Sequence, residues 1–125
     1  MAHGDKELLL KDLCARLPYG VKCKVVKYDI DGEMLFIRNG LELTIDNVKE
    51  LVTNNMYEIK PYLFPLSSMT VRQGEEFAAT LKYLHAEEID IWTLDTYDWC
   101  NKNNFDYRGL IPMDLAIDAT GLNIY

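Results

Sequence analysis

The sequence predicts a single α+β domain in which a three- to four-stranded antiparallel meander packs with about three or four helices. Three observations carry this expectation. Segments rich in β-branched and aromatic residues are separated by the turn dipeptides Asp31-Gly32 and Asn39-Gly40. Thr70-Val71-Arg72-Gln73 has the form of a helix capping box ahead of an apolar stripe. The chain of 125 residues holds no repeat, low-complexity tract or Gly/Ser linker that would divide it.

The elements follow in order. Asp5 can cap a first helix, in which Leu9, Leu13 and Leu17 recur at helical spacing while Lys6, Lys11, Asp12 and Arg16 are free to face water. Pro18 disfavours helical geometry at Leu17, so the helix should end there. From Val21 to Ile45 two tight turns give three strands. Two-residue loops at both dipeptides would set Ile30 opposite Glu33, Tyr28 opposite Leu35 and Val26 opposite Ile37, then Arg38 opposite Leu41 and Phe36 opposite Leu43. That register sends Val21, Cys23, Val25, Met34, Phe36, Leu41, Leu43 and Ile45 to one face, enough to line a core.

The other face collects Val26, Tyr28, Ile30, Leu35 and Ile37 at its centre, between polar ends. Full burial of such side chains stabilises by about 1.5 to 3 kcal/mol each, so water is a poor neighbour for them. Cover by the C-terminal half of the chain, a β-bulge that re-aims one strand, and a partner surface are the three ways out. Further on, Asp46 can cap a short helix through Val48, Leu51 and Val52, ended by Asn54-Asn55. Pro61 and Pro65 restrict the stretch from Met56 to Leu66 to an edge strand or a semi-rigid extended arm. Within it Lys60, Tyr62 and Phe64 are candidate contact residues. The Thr70 helix should run to Leu84 and a further one from about Thr93 to Asn101, with Glu87 to Asp90 as connector and a weak strand pattern at Leu115, Ile117 and Ala119.

Composition narrows the function classes. A net charge of −7 disfavours a nucleic-acid binder that relies on phosphate attraction. Three cysteines without a C-x-x-C pair read as reduced thiols, and no apolar run approaches the roughly 20 residues needed to span a bilayer, so a cytoplasmic setting without a membrane partner is expected. No phosphate-cradling glycine motif is present, no cofactor is expected, and the aromatics Tyr97, Trp99, Phe105 and Tyr107 suit core packing. The densest carboxylates, Asp95, Asp98 and Asp106, form a candidate acidic site for metal-assisted or hydrolytic chemistry, weighed against a solvated face and against an Asp106–Arg108 loop ion pair.

Leu17-Pro18-Tyr19-Gly20-Val21, the run from Lys60 to Thr70, and Asp98-Trp99 with Phe105 to Ile111 together resemble an uncharacterised family of small proteins from bacteriophages and mobile elements of gut bacteria. In that family the position of Phe64 is commonly arginine, so this chain lacks one cation there. The resemblance implies a mobile-element setting and transfers no catalytic residue. The expectation is therefore an accessory protein that binds another protein through the second sheet face or the Lys60 to Met69 arm, with a homo-oligomer also open. The alternative is a small enzyme built on the aspartates.

Overall fold

The computed structural model describes residues 3–125. Along the chain lie α1 (His3–Arg16), β1 (Lys22–Tyr28), β2 (Met34–Glu42), α2 (Val48–Thr53), β3 (Tyr57–Pro65), α3 (Val71–Thr80), β4 (Lys82–Leu84), β5 (Ile89–Ile91), α4 (Leu94–Lys102), β6 (Phe105–Asp106) and β7 (Ile117–Asp118). The fold is α+β. A mixed sheet in the order β2-β1-β3-β6, with β7 also on β3, is mostly antiparallel, and β4 and β5 form a separate hairpin.

The first loop is one residue wider than two-residue turn chemistry implies. Asp29 and Glu33 close it, and the Asp29 carboxylate accepts the amides of both Asp31 and Glu33 at 2.9 Å, which favours three loop residues with Gly32 at φ +85°. Tyr28 therefore stands opposite Met34, not Leu35. An irregularity at Leu35 then absorbs the extra residue, so Lys27 meets Phe36 and Val26 meets Ile37, the second pair as expected.

Asn39-Gly40 makes no hairpin. β2 runs straight through it to Glu42, and Leu41 and Glu42 still pair with Cys23 and Lys22. Two residues of β2 oppose Lys24 alone, and Gly40 takes φ +77°. The positive dihedral that suits a tight turn equally suits a glycine bulge, and here the bulge wins. The third strand of the sheet is β3, on the other side of β1, with Val25 opposite Ile59 and Cys23 opposite Pro61.

β3 is not an edge strand along its whole length, despite two prolines. Its outer edge pairs only from Tyr62 onward, with β7 at Tyr62 and Leu63 and β6 at Phe64 and Pro65. Pro61 sits where the β1 ladder ends and the outer pairing has not begun, so its missing donor costs little there.

One sheet face packs on α1 and α2, and Leu9, Leu13, Val25, Leu51, Ile59 and Leu63 are among the buried core residues. A second cluster joins α3 and α4 through rings, with Phe77 5.2 Å from Trp92 and 5.7 Å from Trp99, which stacks on Phe105 at 5.3 Å. Both helices start on full capping boxes, at Thr70 and at Thr93 with Thr96. α3 stops at Thr80, earlier than its apolar stripe suggests, because the chain turns to place Lys82–Leu84 against Ile89–Ile91.

Asp12 and Arg16, expected in water, are both fully buried. Arg16 grips Asp12 through two bonds of 2.9 and 3.1 Å and also donates to the Phe105 carbonyl at 2.7 Å and the Cys100 carbonyl at 3.4 Å. Arg108 reaches the same Asp12 at 3.1 Å, so its ion-pair partner is not Asp106. Truncating such a buried pair on one side costs about 3 to 5 kcal/mol. Asp12→Asn is expected to lose that order of stability in urea denaturation, and Asp12→Leu combined with Arg16→Met clearly less. Gly40→Ala, which forces a Cβ into a left-handed backbone, should cost about 1 kcal/mol, whereas Gly74→Ala inside α3 should gain about 0.5 to 1 kcal/mol. Midpoints moving the same way for both would contradict the bulge.

Candidate interaction face

The outer face of the sheet forms because β1 and β3 alternate. Val25, Ile59 and Leu63 point to the core, which sends Lys24, Val26 and Tyr28 of β1 and Glu58, Lys60, Tyr62 and Phe64 of β3 to the other side. The candidate patch and the candidate arm are thus neighbours on one surface. A groove of about 350 Å³ runs across it, with Val26 among its lining residues together with Tyr28, Met34, Ile37 and Ile117, and with Lys24, Glu58 and Lys60 supplying the charges.

Val26 is buried, while Met34 is 56% and Ile37 44% exposed. Ile30 lies in the hairpin loop at 88% exposure, outside the groove, and Leu35 occupies the register irregularity, exposed but not lining it. Met34 takes the place assigned to Leu35, because the wider loop and the irregularity together move it to this face. Sequence periodicity could not reveal that exchange. The Asp29 side chain, two residues ahead of Asp31 and four ahead of Glu33, was the available signal.

The Tyr28 hydroxyl donates to Glu58 at 3.3 Å, and the Glu58 charge, followed by burial, pushes that phenol above its ordinary value. It therefore stays a neutral hydrogen-bonding group. Lys60 forms an ion pair with Asp114 at 2.9 Å and lies 3.8 Å from Glu58. Lys24 has no ion-pair partner among the described residues.

Tyr62 and Phe64 are not free contact residues. Tyr62 is buried with its hydroxyl 3.3 Å from the Asn39 side chain, and the Phe64 ring lies 6.1 Å from Phe105 and 5.9 Å from Tyr125. The Tyr125 hydroxyl accepts the Lys22 amide at 2.9 Å and donates to the Tyr62 carbonyl at 2.7 Å, bridging strands where their ladder has ended. Burial pushes the Tyr125 phenol up as well. Only this end of the face is covered by the C-terminal segment.

The acidic site is not assembled. Asp95 and Asp98 are exposed on α4, whereas Asp106 is buried and spends both oxygens on the Leu110 and Ile111 amides at 2.9 Å. Among the described residues no group of three or more His, Cys, Asp or Glu side chains is arranged to hold a metal ion. Burial pushes the Cys100 thiol up to about 11 and the Cys23 thiol higher still, so neither is a ready nucleophile. No described helix is long and apolar enough to cross a membrane.

No protein-family model, curated protein or solved structure matches the chain. Substitution separates floor from rim. Ile37→Asp should leave a cooperative thermal melt within about 1 kcal/mol of the parent, while Val26→Asp, which desolvates a charge, should cost about 3 kcal/mol or more. Equal losses would mean that Ile37 belongs to the core.

Proposed function

We propose that this chain acts as a small accessory protein that binds another protein through the outer face of its sheet. One observation carries the reading. The groove between β2 and β3 brings apolar side chains from three strands together beside Lys24, and none of the described elements lies across it. A half-exposed apolar patch next to charged and hydrogen-bonding groups matches the build of protein interfaces, in which an apolar centre carries the binding and polar groups set the register.

The adjoining edge supports the same reading. β2 is nine residues long, ends the sheet order, and exposes Met34, Leu35, Phe36 and Ile37 in succession. Natural sheet edges are usually shortened, charged or covered, and this one has Arg38, the terminal Glu42 and two irregularities. The resemblance to small mobile-element proteins fits an accessory role of this kind.

The test is a cross-linked pull-down with the parent chain, Ile37→Asp and the distant control Val71→Asp, read by quantitative mass spectrometry. A protein recovered with the parent and with Val71→Asp, but at least tenfold less with Ile37→Asp, is the expected result, since a central apolar contact contributes upwards of about 1.4 kcal/mol. Undiminished recovery with a folded Ile37→Asp would overturn the reading.

A further inference from the structure

We infer that the groove on the outer face receives the β4–β5 hairpin of a second copy of this chain, a contact that rests on the outer face being a binding surface. The hairpin presents an unpaid apolar face. Leu84 stands opposite Ile89 and Lys82 opposite Ile91, so these four side chains share one side, and Ile89 is 47% and Ile91 37% exposed. A two-stranded hairpin is marginal in water without a surface to pack on. Its base is held by the Thr93 hydroxyl donating to the Thr80 carbonyl at 2.9 Å and by Trp92 against Phe77, but the strands themselves have no extensive packing beyond each other.

Charge chooses the occupant. The turn of the hairpin holds Glu87 and Glu88, with Asp90 next to it, all exposed. Of the charges lining the groove, Lys60 is held by Asp114 and Glu58, whereas Lys24 has no ion-pair partner among the described residues and is the cation left to meet an acidic partner. An apolar strip with an acidic tip and an apolar groove with one uncompensated lysine, Lys24, lie on one chain as separate, exposed surfaces. A second copy supplies both at once. Such a contact is head-to-tail, with different surfaces meeting, so each copy keeps one of each free and assembly continues beyond the dimer.

The face of a ten-residue hairpin covers less than the roughly 800 Å² per partner of a standard interface, so the association is weak. Sedimentation velocity from about 10 to about 500 µM should show reversible growth beyond the monomer, weakened several-fold between about 20 mM and about 500 mM salt. Glu87→Lys with Glu88→Lys disables the hairpin and leaves the groove; Lys24→Glu does the reverse. All these sites are at least partly exposed, so both variants should fold, as near-parental thermal melts will check. Each alone should remain monomeric at low salt. Their equimolar mixture should associate again, because the intact hairpin of one meets the intact groove of the other and the two reversed surfaces are likewise opposite in charge.

That return of association in the mixture of two monomeric variants is the decisive result. A parent chain monomeric up to about 500 µM overturns the inference and leaves the outer-face reading to its own pull-down. Growth unaffected by either charge reversal assigns self-association to edge pairing of β2 and also overturns it. Loss of protein capture by Ile37→Asp together with a monomeric parent would mean that the groove serves a foreign protein instead.

Discussion

A single carboxylate, Asp12, holds the two halves of the molecule together. It lies near the end of α1, fully buried, and receives both Arg16 from the same helix and Arg108 from the C-terminal part. Arg16 carries the link onward to the carbonyls at the end of α4 and in β6. Burying these charges is expensive, and the arrangement is tolerable because Arg16 makes four hydrogen bonds, Arg108 makes two while staying partly exposed, and the Tyr107 ring lies 5.4 Å from the first guanidinium and 5.0 Å from the second. Tyr107 in turn donates to Asn101 at 2.9 Å. Removing the carboxylate would leave two cations facing one aromatic ring inside the protein, so the sheet layer and the α3–α4 layer have little freedom to separate.

That constraint explains which aspartates could serve chemistry. Asp106 is adjacent to the network and is consumed by the turn that brings Arg108 back toward Asp12. Sequence spacing put Asp106 beside Asp95 and Asp98, but a carboxylate that satisfies two buried amides is structural. The pairing of Asp12 with Arg108 spans 96 positions, and no local pattern encodes it. At helical spacing Asp12 and Arg16 look like an ordinary surface pair, and contacts with Cys100, Phe105 and Arg108, all distant in sequence, hold them inside the protein.

Local chemistry was more legible where a signal has one structural solution. The Thr70 capping box, the Pro18 stop and the short helix ending at Asn54 all follow from side chains that satisfy or deny particular backbone groups. Asn39-Gly40 was misleading because a positive φ serves a hairpin and a bulge alike, and the competing strand decides between them. Here Cys23 and Lys22 offered β2 a partner for Leu41 and Glu42, so the chain gained by running straight. β4 and β5 were missed for a related reason: three-residue strands carry too little periodicity to compete with an apolar stripe of helical spacing.

The outer face shows how a partly wrong register can still bring Val26, Tyr28 and Ile37 onto one surface. The first loop is longer by one residue and β2 is irregular at Leu35, and the two deviations cancel between Lys27 and Val25, which keeps Val26 opposite Ile37. Cover by the chain itself and a bulge, posed as alternatives by the sequence, are both present. Tyr125 closes the end near Lys22 and Phe64, while Ile117 forms one wall of the groove. Neither extends over Met34 and Ile37. A Tyr28–Glu58–Lys60–Asp114 chain of polar contacts, exposed along most of its length, runs along the flank beside them. Exposed pairs of that kind are worth about 0 to 1 kcal/mol, so the flank is held chiefly by the backbone ladder between β1 and β3 beneath it.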